Sequence, residues 1–347
     1  MNAAMTLLFD RHRPIVSPAL APMDPRESDK VGSDRGVGDR VLTIGLINNM
    51  PDAALQATER QFMRLLEAGA GENHIHLHRF SLPSVKRSQS AQWRIEQQYT
   101  DIAQIDRMSI DGLIVTGAEP NAATLRQEPF WHDLIEIVDW AKANTRSTIW
   151  SCLAAHAAVL HLDGIERRRL INKCSGIYQT FKVSGHWVTD DLDRPFAVAH
   201  SRLNELSAGD LAGNGYQLLT HSPEAGVDIF AKQFGSHFVF FQGHPEYEAL
   251  SLEREYLRDI SRFLAGERDA CPAAPAGYFD AETEGRLAAF ARRAKAERRP
   301  ELSSELPHRA LRHNTAASEV ATAIFRNWLG FLAGARAALP RLNLVKS

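Results

Sequence analysis

The sequence predicts an α/β protein: a doubly wound, mostly parallel sheet flanked by helices. Three observations carry that expectation. Near-continuous apolar runs recur at Val41-Leu-Thr-Ile-Gly-Leu-Ile47, within Asp111-Gly-Leu-Ile-Val-Thr-Gly-Ala118 and at Thr148–Trp150, the pattern of strands buried on both faces. Stretches with helical spacing separate them. Turn-forming residues or a cysteine close each run at its carboxyl end, where open α/β sheets gather functional groups.

Residues 1–40 are rich in Pro, Arg, Asp and Gly without periodicity, and are expected to form a flexible leader. A domain over 41–333 follows, with 334–347 as a tail. After the first strand, Asn48-Asn-Met-Pro51 is a turn. Leu55, Phe62, Leu65 and Leu66 then share a helical face, with Glu59, Arg60 and Arg64 off it. Ile75–Phe80 alternates as a strand, whereas Ser84–Gln98 is polar and reads as a surface excursion. Trp131, Leu134, Ile135, Val138 and Trp140 have helical spacing. Beyond residue 160 the pattern changes to shorter strands at Phe196–Ala199, Tyr216–Thr220, Ile229–Lys232 and Phe238–Gln242. Ser251–Leu264 reads as an amphipathic helix with Ser251 as its cap. Residues 265–315 read as variable and partly irregular, with Arg292–Arg299 as a solvated helix face. Ser318–Ala333 is a final amphipathic helix.

The chain has 347 residues, 44% hydrophobic and 24% charged, with a formal net charge of -2. That balance provides no electrostatic footprint for nucleic acid. No apolar run approaches the roughly 20 residues of a membrane helix, and no secretory signal precedes the first strand. Cys152, Cys174 and Cys271 follow neither a metal-ligand nor a disulfide pattern, so a reducing cytoplasm is the simplest setting.

Chemistry points to Ser147-Thr-Ile-Trp-Ser-Cys-Leu-Ala-Ala-His-Ala-Ala158. A buried strand runs into Cys152, and small helix-favouring residues follow at once. A thiol there sits at a helix N-terminus, where unpaired N–H groups favour a thiolate and can hold an oxyanion. The alternative is a buried structural cysteine. A nucleophilic thiol also needs a base held by a third group. Gly243-His244-Pro245-Glu246, directly after an apolar strand, supplies that pair if the strand exit bends so that the carboxylate reaches the imidazole from behind. With 14 histidines in the chain, a turn histidine bonded to backbone is the rival reading of His244. Cys174 has no candidate base and reads as structural.

Several ordered motifs extend this reading: Asn49-Met50-Pro51, Thr58-Glu59, Asp111–Ala118, Ser147-Thr148 before Cys152, Lys173 with Ser175-Gly-Ile-Tyr178, His200-Ser-Arg202, Gly243-His-Pro-Glu-Tyr247, Glu255 with Arg258-Asp259, and Asn327-Trp-Leu329. In that order they resemble the homoserine O-succinyltransferase/O-acetyltransferase family, from about residue 41 to 333. The resemblance implies a class I glutamine-amidotransferase-like fold and a Cys-His-Glu triad. Cys152 would take the acyl group as a thioester, with His244 as general base and Glu246 orienting it. Lys173, Ser175, Arg202 and Arg258 would bind substrate. Backbone N–H groups at Leu153 and Ala118 would form the oxyanion hole. The co-substrate would be succinyl-CoA or acetyl-CoA, the acceptor L-homoserine, the setting methionine biosynthesis and the assembly a homodimer, with no bound metal or cofactor.

The chain also departs from the family pattern. A lysine usually follows the Met-Pro pair, and here Asp52-Ala53 stand instead. Leu153 replaces a common Trp, His156 replaces a usual Gln, and Glu119-Pro-Asn121 replaces a Pro-led turn. These changes bear on the pocket, so a related hydroxy-amino acid such as serine remains an alternative acceptor. A glutamine-amidotransferase-like amidase and a catalytically degenerate binding protein are the other readings.

Overall fold

A computed structural model describes residues 7–9, 41–306 and 318–338. Apart from Leu7–Phe9, the expected leader lies outside the described residues, as do 307–317 and 339–347. In chain order the elements are β1 (Leu7–Phe9), β2 (Val41–Ile47), α1 (Asp52–Gly69), β3 (His74–Phe80), α2 (Gln89–Gln98), β4 (Gly112–Val115), α3 (Trp131–Asn144) and β5 (Ser147–Ser151). Next come α4 (Leu153–Asp163), β6 (Arg168–Lys182), β7 (Phe196–Glu205), α5 (Ala208–Gly213), β8 (Gln217–Leu218), β9 (Thr220–Ser222) and β10 (Gly226–Val227). The last are β11 (Ile229–Gln233), β12 (His237–Phe241), α6 (Ser251–Leu264), α7 (Ala281–Glu297) and α8 (Ser318–Ala338).

Two compact units emerge. The first holds the described residues up to Ile149, Gln233–Phe238 and those from Phe325 onward; the second holds Trp150–Lys232 and Val239–Ile324. In the first, strands run in the order β1-β3-β2-β4-β5, and β1/β3, β2/β3 and β2/β4 are parallel. Leu42, Ile44, Leu46, Ile47, Leu113, Ile114 and Val115 are fully buried, which is why their runs lack polar alternation. Helix α1 buries the apolar stripe expected of it, whereas α3 buries Trp131, Leu134 and Val138 together with Ile137 and Ala141, and the expected Ile135 and Trp140 stay partly exposed. In α8, Trp328 is buried and donates through Nε1 to Ser147 Oγ at 3.0 Å. A Cβ at Gly112 would lie 2.7 Å from the Trp328 ring, so that strand position must be glycine.

Two expectations for this unit need correction. Glu59 is buried, because Arg79 and Arg94 reach its carboxylate at 2.8 and 2.6 Å and replace its water. Part of the polar excursion Ser84–Gln98 is helix α2, capped by the Ser88 side chain and burying only Ala91. With so small an apolar face, its composition carried no helical signal.

In the second unit β12, β11 and β8 are neighbours in that order, and a separate sheet runs β10-β9-β6-β7. Strands β6 and β7 pair antiparallel, with a register shift between Arg169 and Cys174. A Cβ at Gly176 in β6 would lie 2.3 Å from the Ala276 carbonyl oxygen, so only glycine admits that approach. Helices α6 and α7 share a core of Leu252, Tyr256, Ile260, Phe263, Leu287 and Phe290. Ser251 is not the cap of α6 but its first residue; Leu250 precedes the helix, and Ser251 Oγ accepts from the Glu248 N–H at 3.0 Å.

Candidate active site

Strand β5 ends one residue before Cys152, and α4 begins one residue after it. The turn between them is tight enough to force Cys152 to φ 51°, ψ -112°, a conformation that L residues with a side chain adopt only at a cost. Its N–H donates to the Phe241 carbonyl of β12 at 2.7 Å, and its carbonyl accepts from His156 N–H at 3.2 Å. The thiol makes no capping hydrogen bond. Ala154, Ala155, Ala157 and Ala158 are fully buried, so the small residues let α4 pack tightly behind the cysteine. A strained strand-to-helix turn of this kind presents a nucleophile.

Strand β12 leads through Gln242 and Gly243 to His244, whose N–H donates to Ala199 of β7 at 2.7 Å. Its Nδ1 lies 2.8 Å from Glu246 Oε1. Its ring hydrogen-bonds the Cys152 thiol and stacks on Tyr247, 4.2 Å between centroids and 21° between planes. Burial opposes a charged imidazole here. The carboxylate of Glu246, the Cys152 side chain and hydrogen bonds to both outweigh it and hold His244 well above the ordinary histidine pKa. The bent exit therefore brings Cys152, His244 and Glu246 together within the second unit.

Behind the base lies a buried group that sequence reading missed. Asp228 is 1% exposed; its carboxylate accepts from Thr220 Oγ1 at 2.9 Å and from the Gly243 N–H. Burial pushes Asp228 up to about 6, against the pull of those two bonds and of Arg202 and His244. Its Oδ1 is 3.6 Å from His200 Nε2. Burial, then the positive charges of Arg202 and His244, keep His200 well below its usual range and therefore neutral. No short-range pattern links residues 200, 228 and 243; only the pairing of distant strands joins them.

The remaining predicted residues are spread over this unit, with one exception. Lys173 Nζ is 3.1 Å from Asp259 and 3.4 Å from Glu255. Glu255 also accepts from Ser201 Oγ and from the Tyr247 hydroxyl. Arg258 pairs with Asp259 at 3.1 Å while its side chain stays 41% exposed. Arg202 is buried and donates to the carbonyls of Asn204, at 2.9 Å, and Ala225. Ser175 contributes its carbonyl, which accepts from Ala276 N–H and the Tyr178 hydroxyl. Leu153, buried, opens α4, where the first N–H groups have no acceptor within the helix. Ala118 belongs to the first unit, beyond β4. So does Asp52, which accepts from Ser88 N–H at 2.8 Å. Burial raises the Cys174 thiol, against Arg202 and a bond to Tyr178.

Among the described residues no group of three or more His, Cys, Asp or Glu could hold a metal ion, and no helix is long and apolar enough to cross a membrane. The family model described as homoserine O-succinyltransferase matches residues 37–338. The chain belongs to the homoserine O-succinyltransferase family. It is 58% identical over 331 residues to a homoserine O-succinyltransferase of Rhodopseudomonas palustris, covering 95% of this chain and 99% of that protein. Likewise, a homoserine O-succinyltransferase of Bradyrhizobium japonicum is 56% identical over 331 residues, with the same coverage. A glutamine amidotransferase structure from Thermotoga maritima superposes with TM-score 0.43 at 13% identity, covering 85% of this chain and 98% of that one. As a homoserine O-succinyltransferase family member, the chain is an acyltransferase.

Proposed function

We propose that the protein transfers a succinyl group from succinyl-CoA to the hydroxyl of L-homoserine through a thioester on Cys152, in methionine biosynthesis. The carrying observation is the strained Cys152 turn with His244 held between the thiol and Glu246. Succinyl rather than acetyl follows the names of the relatives.

His244 takes the thiol proton as Cys152 sulfur attacks the acyl carbonyl. The new carbon–sulfur bond forms, the bond to coenzyme A breaks, and the departing thiolate leaves with the proton from His244. The homoserine hydroxyl then gives its proton to His244 as its oxygen attacks the thioester. An oxygen–carbon bond forms, and Cys152 leaves and recovers the proton. Glu246 holds the imidazole in the tautomer whose Nε2 faces the thiol, and it stabilises the imidazolium at each step. The Leu153 N–H is assigned to the oxyanion, which develops at the N-terminus of α4.

Lys173 and Arg258 are the cations assigned to substrate carboxylates: the Arg258 guanidinium can pair bidentately with such a group, and the Lys173 ammonium meets it as a point charge. Arg202, already bound to two carbonyls, and Ser175, through its backbone, would shape the substrate-binding strands β6 and β7. Water must be kept from the thioester between the two steps, and the burial of His244 and Glu246 supports this.

A matrix of succinyl- and acetyl-CoA against homoserine and serine, read by coenzyme A release, tests the assignment. Succinyl-CoA with homoserine should be the productive pair. No turnover of homoserine with either donor would contradict it.

A further inference from the structure

His156 is 3% exposed and stands one helical turn beyond Cys152, its N–H on the Cys152 carbonyl. On the other side its Nε2 lies 3.1 Å from Gln242 Oε1. Gln242 is fully buried and comes two residues before His244. Its amide orientation is set by neighbours. Oε1 accepts from Leu206 N–H at 2.7 Å, and Nε2 donates to the carbonyls of Val227 at 2.8 Å and Leu206 at 3.4 Å. Because Oε1 can only accept, His156 must carry its proton on Nε2. Burial, with the positive charges of Arg202 and Arg167, pushes His156 down to about 3, so the ring is neutral at working pH and a steady donor.

The bond therefore joins two segments that sequence separates by 86 residues: the helix behind the nucleophile and the strand exit that delivers the base. Gln242 is held on its other sides by Leu206 and Val227, and its N–H donates to the Asp228 carbonyl at 2.8 Å. The strand exit is thus rigid, and His156 is the side chain that ties α4 to it.

We infer that His156 is a positioning residue: through Gln242 it sets the register between the helix bearing Cys152 and the strand exit bearing His244. The inference rests on the acyl-transfer reading of that pair. A buried leucine at 156 fills similar space but cannot donate, so α4 keeps its backbone bond from Cys152 N–H to the Phe241 carbonyl but loses the side-chain tie that fixes its register against the strand exit. Small displacements of reacting groups have large kinetic effects, up to about 100-fold for about 1 Å.

The test is single-turnover acylation of Cys152 by succinyl-CoA in His156→Leu and His156→Gln, with thermal unfolding as the check on folding. His156→Leu should acylate about 10- to 100-fold more slowly with KM for succinyl-CoA largely unchanged. His156→Gln, whose amide can donate to Gln242 Oε1, should return toward the wild-type rate. His156→Met supplies the same comparison if the leucine variant does not fold. Iodoacetamide labelling of Cys152 reads the same geometry without an acyl donor, and should slow in the leucine variant and recover in the glutamine variant. A wild type that labels but does not acylate would count against the acyl-transfer reading alone. A folded leucine variant with wild-type labelling and acylation, or a glutamine variant as slow as the leucine one, would overturn the positioning role.

Discussion

The Nδ1 of His244 lies 2.8 Å from Oε1 of Glu246, two residues away across Pro245. Neighbours at that spacing on a regular strand would lie side by side on one face, the carboxylate beside the ring rather than behind it. Here the chain has left β12 at Phe241, and Gly243 lets it turn while packed against Asp228. The carboxylate thus comes round behind the imidazole and leaves the other ring nitrogen for Cys152.

The Glu246 charge is what offsets burial in holding the His244 imidazolium. Glu246→Gln keeps the size and one acceptor oxygen but removes that charge. Acylation should fall about 100-fold, within the range for loss of effective base catalysis. The His244 titration, followed by NMR, should move to lower pH. A variant within a fewfold of wild type, with His244 titrating unchanged, would remove Glu246 from its assigned role.

Asp228 gives a stability prediction with a definite sign. Its pKa rises from 3.8 in the unfolded chain to about 6 in the folded protein. Between those values the native state retains a proton that the unfolded chain has released, so this group's contribution falls as pH rises. A shift of that size corresponds to about 3 kcal/mol, fully lost above about pH 6. Asn at this position is neutral throughout. The unfolding free energy of Asp228→Asn relative to wild type should therefore increase from about pH 4 to pH 6 and then level off. A difference independent of pH, by denaturant titration, would contradict the raised pKa.

Gly243→Ala tests the crowding beneath the base. The added Cβ would lie 2.4 Å from Asp228 Oδ1, 2.8 Å from Val198 Cγ1 and 3.0 Å from His200 Cε1, all buried, the last two on β7 and Asp228 between β10 and β11. Overpacking of this kind costs about 1–3 kcal/mol. The displaced strand exit should also slow acylation by about tenfold or more. Unfolding and acylation both at wild-type values would show that the exit has room to spare.

Much of this architecture was legible because burial on both faces erases alternation. Val41–Ile47, Asp111–Ala118 and Thr148–Trp150 read as strands and became β2, β4 and β5. Cys152 was legible from the abrupt change from β-rich to alanine-rich sequence, and the His244–Glu246 pair from the Gly-His-Pro-Glu exit. Less accessible were elements whose signal is not local. Most of the 15 residues of β6 stay partly or fully exposed, so its register against β7 left no apolar stripe. Helix α2 buries one alanine. Asp228 and His200 meet only because β7 and the turn before β11 lie together, a juxtaposition that no spacing encodes. His156, noted in the sequence as an unusual residue, acquired a partner only when Gln242 was in view.

The central claim is a covalent succinyl group on Cys152. Intact-protein mass spectrometry after addition of succinyl-CoA without homoserine tests it directly, comparing wild type with Cys152→Ala. Wild type should carry one succinyl adduct, mapped to the peptide containing Cys152 and discharged by homoserine, and Cys152→Ala should carry none. An equal, homoserine-dischargeable adduct on Cys152→Ala would place the nucleophile elsewhere and contradict the account.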